Sequence, residues 1–183
     1  MDRALPALLE AKFCDRLAAP VSQRHDQTEV RIRRADVTEV MRSLHDDPDL
    51  RFEHLADLCG VDTGTEFQVV YHLWSEVTSD WLRVIVDQIP RDEPRAPSVT
   101  FLWKGAEWPE REAYDMFGIV FEGNRDLRRI YLPDDYASHP LRKDFHLPDD
   151  AARSPGGGVR PMERAAEPRD AAAATVRRVA PVP

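Results

Sequence analysis

The chain has only two cysteines in 183 residues, Cys14 and Cys59, and they stand far apart. An iron–sulfur cluster needs about four cysteine ligands at short spacings, so this chain cannot hold one alone. A single distant pair reads as two buried or free thiols in a reducing compartment, not as a disulfide framework. Long apolar runs are also missing. The longest candidates, Trp81 to Val86 and Gly118 to Phe121, have the length of a strand or a turn, against the roughly 20 residues a membrane helix requires. The start, Met-Asp-Arg-Ala-Leu-Pro, has no basic segment leading into an apolar one, so no secretion signal is expected and the chain is placed in the cytosol. Net positive charge is absent too. At −8 overall, the balance argues against nucleic acid and against direct binding to anionic lipid.

The usual signatures of catalysis are lacking as well. No GxGxxG follows a strand, Gly156 to Gly158 has no Lys-Ser/Thr after it, and no serine sits in a GxSxG turn. His139 and His146 lie near Asp135 and Asp144, but without HExxH or Cys/His spacing. Glu110 and Glu112 are two apart on a helix and do not face each other, so they read as favourable charges at a helix start. Asp134-Asp135 after Pro133 reads as turn chemistry in preference to a metal site. A stand-alone enzyme built on Asp134, Asp135 and His139 around a metal remains the alternative of a different class.

What is present is an α+β pattern. Leu5 to Leu17 predicts a helix, Thr28 to Arg33 a short strand, and Asp36 the cap of a helix carrying Val37, Val40, Met41 and Leu44. Phe52 to Val61, Glu66 to Trp74 and Trp81 to Ile89 predict an antiparallel meander, with Thr63-Gly64 as its first turn. Pro90 to Pro97 reads as a connection that cannot continue a strand, and Ser98 as the cap of a short helical turn. A further helix follows, with Pro109 at its first position, Ala113, Met116 and Phe117 as its stripe, and Gly118 just past its end. Beyond Phe121 the segment is irregular. The expectation is one domain over residues 1–150: N-terminal helices on a mostly antiparallel sheet, then this motif helix and an extended irregular segment. Residues 151–183 are rich in Ala, Arg and Pro and read as a flexible tail. The tail holds six Arg and three acidic residues, a net of +3, so residues 1–150 carry −8 − 3 = −11.

Glu110 to Leu147 mixes six basic and eight acidic residues with Tyr114, Phe117, Phe121, Tyr131, Tyr136 and Phe145. Such a segment, anchored by a helix, suits a partner-binding face. The string Glu-Arg-Glu-Ala-Tyr-Asp-Met-Phe-Gly-Ile (Glu110 to Ile119) is followed by Asp-Leu-Arg-Arg-Ile (Asp126 to Ile130). Pro-Asp-Asp-Tyr (Pro133 to Tyr136) and His-Pro-Leu-Arg-Lys-Asp-Phe (His139 to Phe145) complete it. This block resembles the 30-kilodalton family of respiratory complex I, known in bacteria as its C subunit and in cyanobacteria and chloroplasts as the J subunit. The likeness spans most of Thr28 to Leu147. Asn124-Arg125, Ala137-Ser138 and His146 depart from the family pattern.

The resemblance implies a non-catalytic scaffold subunit in the hydrophilic arm of proton-translocating NADH:quinone oxidoreductase. It implies docking on the D subunit of that complex near the quinone site, with the B and I subunits close by, on the cytoplasmic face of a bacterial membrane. It further implies that NADH, FMN, Fe–S clusters and quinone are handled in other subunits, and that this chain binds none of them. The docking face it points to comprises Glu110, Arg111, Glu112, Tyr114 and Asp115, then Arg128, Arg129, Pro133, Asp134 and Asp135, then His139, Pro140, Arg142, Lys143 and Asp144. Arg128, Arg129, Arg142 and Lys143 are expected to pair with acidic groups of the partner. The equivalent subunit of an energy-converting hydrogenase, a formate-linked hydrogenase or an F420-dependent dehydrogenase is the second reading.

Overall fold

The computed structural model describes residues 5–24 and 27–146. The expected tail, residues 151–183, lies outside them. Helix α1 (Leu5–Phe13) is followed by strands β1 (Leu17–Arg24) and β2 (Gln27–Arg33), helix α2 (Val37–Asp46), and strands β3 (His54–Asp62), β4 (Phe67–Ser75) and β5 (Asp80–Ile89). The order in the sheet is β1-β2-β5-β4-β3. β3, β4 and β5 form the expected antiparallel meander. β2 joins it by pairing parallel with β5, and β1 pairs antiparallel with β2.

Alternation decides which face of the sheet is covered. Phe67, Val69, Tyr71 and Leu73 of β4 share one core with Leu82, Val84 and Val86 of β5 and Val30 and Ile32 of β2. Leu5, Leu9 and Phe13 of α1 join that core with Val37, Val40, Met41 and Leu44 of α2. Each such side chain contributes about 1.5–3 kcal/mol when fully buried.

Three local expectations differ. The first helix ends at Phe13, and residues expected to continue it turn into β1. Pro20 makes that strand hard to foresee, but β1 is at the edge of the sheet, where a missing N–H is tolerated, and a register shift between Ala19 and Ser22 spans the proline. Asp36 stands at the start of α2 without capping it; its carboxylate accepts from Arg33 Nε at 2.8 Å. Within the Pro90–Pro97 connection, β6 (Arg95–Pro97) pairs parallel with β7 (Val120–Glu122). The two cysteines are free thiols, one of the two states expected, and both are exposed.

Between β6 and β7 the chain makes the helical turn at Ser98, whose Oγ accepts the Thr100 amide, a short 3-10 turn (Lys104–Ala106) and helix α3 (Glu107–Phe117). Pro109 is the third residue of α3, not the first. Within the first turn its absent N–H still leaves no helical bond unmade. Gly118 ends the helix at φ 75°, ψ 22°, the left-handed region glycine enters without strain. α3 lies against β3 closely enough that a Cβ on Gly60 would stand 2.7 Å from the Phe117 ring.

Candidate functional site

Helix α3 is a hub to which the irregular segment after β7 is tied by charged side chains. Glu110 falls on the same stripe as Ala106, Ala113 and Phe117, and so is carried into the interior, where it is fully buried. Its carboxylate accepts the Val99 amide at 2.8 Å and the Asn124 side-chain amide at 2.8 Å. Burial pushes the Glu110 carboxyl above its ordinary range, only partly offset by these donors. Glu110 therefore holds together the turn that follows β6 and the turn that follows β7.

Asp115 is fully buried too. One of its oxygens accepts the successive amides of Ile130, Tyr131 and Leu132, at 3.1, 2.8 and 3.1 Å. The other accepts from Arg129 at 2.6 Å. Burial alone would raise the Asp115 carboxyl; the Tyr131, Leu132 and Ile130 amides and the Arg129 guanidinium outweigh it and hold it below its ordinary value. Arg129 reaches on to the carbonyls of Tyr136 and Ser138. Arg111, buried beneath the Trp108 ring at 4.5 Å, donates to the carbonyls of Arg128 and Arg129.

The last turn of a helix leaves carbonyls without helical partners. Here the His139–Arg142 stretch supplies them. His139 Nδ1 donates to the Asp115 carbonyl at 3.0 Å, the Leu141 amide to Met116 at 3.2 Å, and Arg142 Nε to Phe117 at 2.6 Å. A cation suits that end of the helix dipole. Burial keeps His139 neutral to lower pH than usual, helped by the nearby Arg142 and Arg129 charges. Farther out, Asp62 at the end of β3 accepts the Lys143 amide at 2.8 Å and pairs with Arg91, which also meets Asp144 at 2.8 Å.

Thus the fifteen residues read as a docking face divide in two. Glu110, Arg111, Asp115, Arg129 and Arg142 are buried or half-buried and engaged within the chain. Of the exposed ones, Arg128, Glu112 and Asp144 also have partners in it, Asp126, Tyr131 and Arg91. Arg128, Arg129 and Arg142, expected to reach for a partner's acidic groups, thus all have contacts within the chain. Glu112, Arg128, Pro133, Asp134, Asp135, Lys143 and Asp144 are exposed, while Tyr114, His139 and Pro140 are half-buried. Large apolar groups stand among them: Trp108, Tyr131 and Leu141 are 62%, 66% and 55% exposed. Sequence reasoning passed over Trp108, though an aromatic beside a helix-start proline and outside the apolar stripe was a usable signal. Among the described residues, no three His, Cys, Asp or Glu side chains are grouped to hold a metal ion, and no helix is long and apolar enough to cross a membrane.

The carboxylate holds give the stability of this segment a definite pH dependence. The Asp62 and Asp115 carboxyls are lower in the folded chain than their unfolded value of about 3.9. Their contribution is therefore complete above that value and is lost as pH falls through the depressed folded pKa. Urea midpoints of the purified chain should drop steeply below about pH 4. Asp62→Asn and Asp115→Asn should each flatten that drop, and a variant that retains the wild-type slope would remove its carboxylate from this account.

A helix that collects the loops around it through buried carboxylates, and leaves aromatic and apolar groups outside, is the build of a component of a larger assembly. A family model described as respiratory-chain NADH dehydrogenase, 30 Kd subunit, matches residues 30–151, and the chain belongs to that family. The C subunit of NADH-quinone oxidoreductase from Roseiflexus sp. (strain RS-1) is 45% identical over 144 residues, covering 76% of this chain and 80% of the relative. The protein of the same name from Burkholderia multivorans (strain ATCC 17616 / 249) is 44% identical over 151 residues, covering 77% and 74%. Among solved structures, the trypsin-resistant fragment (1-134) of Nqo5 aligns with TM-score 0.57 and 35% identity, over 66% of this chain and 96% of the fragment. A chain of the membrane-bound sulfane sulfur reductase, an archaeal respiratory membrane complex, aligns with TM-score 0.62 and 26% identity, over 77% and 83%. The chain is accordingly a subunit of an NADH:quinone oxidoreductase-like complex and works within a multi-subunit assembly.

Proposed function

We propose that the chain is a scaffold of the hydrophilic arm of proton-translocating NADH:quinone oxidoreductase, docking on the D subunit near the quinone site with the B and I subunits in the same region. It carries no redox group of its own. Electrons pass from NADH through flavin and Fe–S clusters of other subunits to quinone, and the chain is held peripherally on the cytoplasmic face of the bacterial membrane. The observation that supports this most is the exposed surface on and around α3. Trp108 lies over Arg111, and Tyr131 donates from its hydroxyl to Glu112 at 3.2 Å. Their exposed rings are ordered by the hub beneath them, as rigid aromatic anchors of interfaces are.

A tagged chain drawn from detergent-solubilised membranes is expected to bring down the D and B subunits in equal amounts. Recovery of neither overturns the proposal. Combined Trp108→Ala and Tyr131→Ala should cut recovery of the D subunit about tenfold or more while leaving the chain's own melting temperature near wild type, because both rings are outside its core. The likeness to a chain of the sulfane sulfur reductase complex favours a second reading, the same scaffold role in a related energy-converting hydrogenase, formate-linked hydrogenase or F420-dependent dehydrogenase complex. Neighbouring genes for flavin- and NADH-binding subunits decide for the first reading.

A further inference from the structure

A cavity of about 510 Å3 opens beside the start of α3, away from the contacts that tie down the 128–146 segment, between Phe101, Lys104 and Glu107 on one side and Gly123, Asn124 and Arg125 on the other. Two of its lining residues are exposed cations, Lys104 and Arg125. A third cation, Arg42 of α2, holds its guanidinium 5.3 Å from the centre of the Phe101 ring. None of the three has a carboxylate within 4.0 Å among the described residues, although arginines elsewhere, such as Arg91, Arg111 and Arg129, are paired. On a chain of net charge −8, two unpaired cations and one carboxylate, Glu107, line the cavity, and with Arg42 over the Phe101 ring they leave a local positive excess against the overall balance. Phe101, 49% exposed, is the one apolar side chain in the lining.

We propose that this cavity receives a carboxylate-bearing segment of a neighbouring subunit, an acidic side chain pairing with Lys104 and Arg125 while an apolar one lies against Phe101. Charge complementarity selects the acid, and the ring selects an amphipathic peptide over a bare anion. Glu107, inside the same cavity, opposes a doubly charged phosphate and is tolerated by a single carboxylate flanked by two cations. This contact is separate from the face around Trp108 and Tyr131, and rests on the chain's place in a complex, not on which neighbour covers that face.

The test uses the assembled complex and a photo-crosslinking amino acid at Gly105, where a Cβ meets nothing within 4 Å. A second probe at Tyr131 reports the other face independently. The Gly105 probe is expected to mark one segment of another subunit that contains Asp or Glu within a few residues of the linked position. Lys104→Glu with Arg125→Glu should lower that yield about tenfold or more, and reversing the partner's acidic residue to Lys should restore it. Lys104→Gln with Arg125→Gln should give an intermediate loss, which keeps the result readable if the double reversal impairs folding. Failure of the Gly105 probe while Tyr131 crosslinks overturns the proposal and spares the function above. It is equally overturned if the crosslink survives both charge changes, or if the probe marks only lipid or this chain itself.

Discussion

Asp115→Ala is expected to destabilise the isolated chain by about 3–5 kcal/mol, the range for removing one member of a buried ion pair and leaving the other uncompensated. The variant strips Arg129 of its partner and removes the acceptor of the Ile130, Tyr131 and Leu132 amides in one change. Arg129 then has only carbonyls to meet, and the chain from Arg128 to Ser138 loses the point around which it is wound. Asp115→Asn should fall between wild type and alanine, because an amide oxygen still accepts backbone protons but offers no charge to Arg129. Urea denaturation of the purified chain measures both. A loss below about 1 kcal/mol for alanine, the worth of a single ordinary hydrogen bond, would contradict the hub described above.

The second large effect is expected at Gly118, where two independent costs coincide. A side chain at φ 75° carries a backbone penalty of about 1–2 kcal/mol. In addition, its Cβ would stand 2.5 Å from Arg142 Nη2 and 2.6 Å from His139 Nε2, so both groups that cap the last carbonyls of α3 must move. Gly64→Ala separates these costs. That residue also has positive φ, at 96°, but its Cβ would find only Lys143 Cδ, at an ordinary 3.9 Å. Both variants should melt earlier than wild type, by roughly 2–4 °C for each kcal/mol lost. Only Gly118→Ala should also expose residues 139–146 to amide exchange and protease. Equal exposure in the two variants would mean that the His139–Arg142 contacts do not secure that segment.

Much of the scaffold was readable from pattern. The meander follows from alternation in Glu66 to Trp74 and from Thr63-Gly64, and α3 was marked by Pro109 and Gly118, a rule that depends only on local backbone chemistry. What could not be read is nonlocal. β1 pairs with β2 despite Pro20 because its edge position excuses the missing donor, and an edge is a property of the sheet, not of the eight residues. β6 and β7 are three residues each and become strands only by pairing with each other across α3.

The candidate site was legible as a block of residues but not in its inner workings. Glu110 read as a favourable charge at a helix start, because the helix dipole alone accounts for an acid there. Its place on the Ala106–Ala113–Phe117 stripe pointed the other way. The partners of Asp115 lie 14 to 17 residues downstream, beyond any helical spacing. A run of Arg, Asp and Pro thus looked like a surface for others when most of its charges have partners within the chain itself.

The grip of Asp62 on the Lys143 amide joins positions 81 residues apart, and Arg91 shares it through Asp144. A ribosome must therefore deliver nearly all of the domain before that clasp can shut, and a chain broken off before Lys143 leaves Asp62 with only its nearer partners, the Gly64 amide and Arg91.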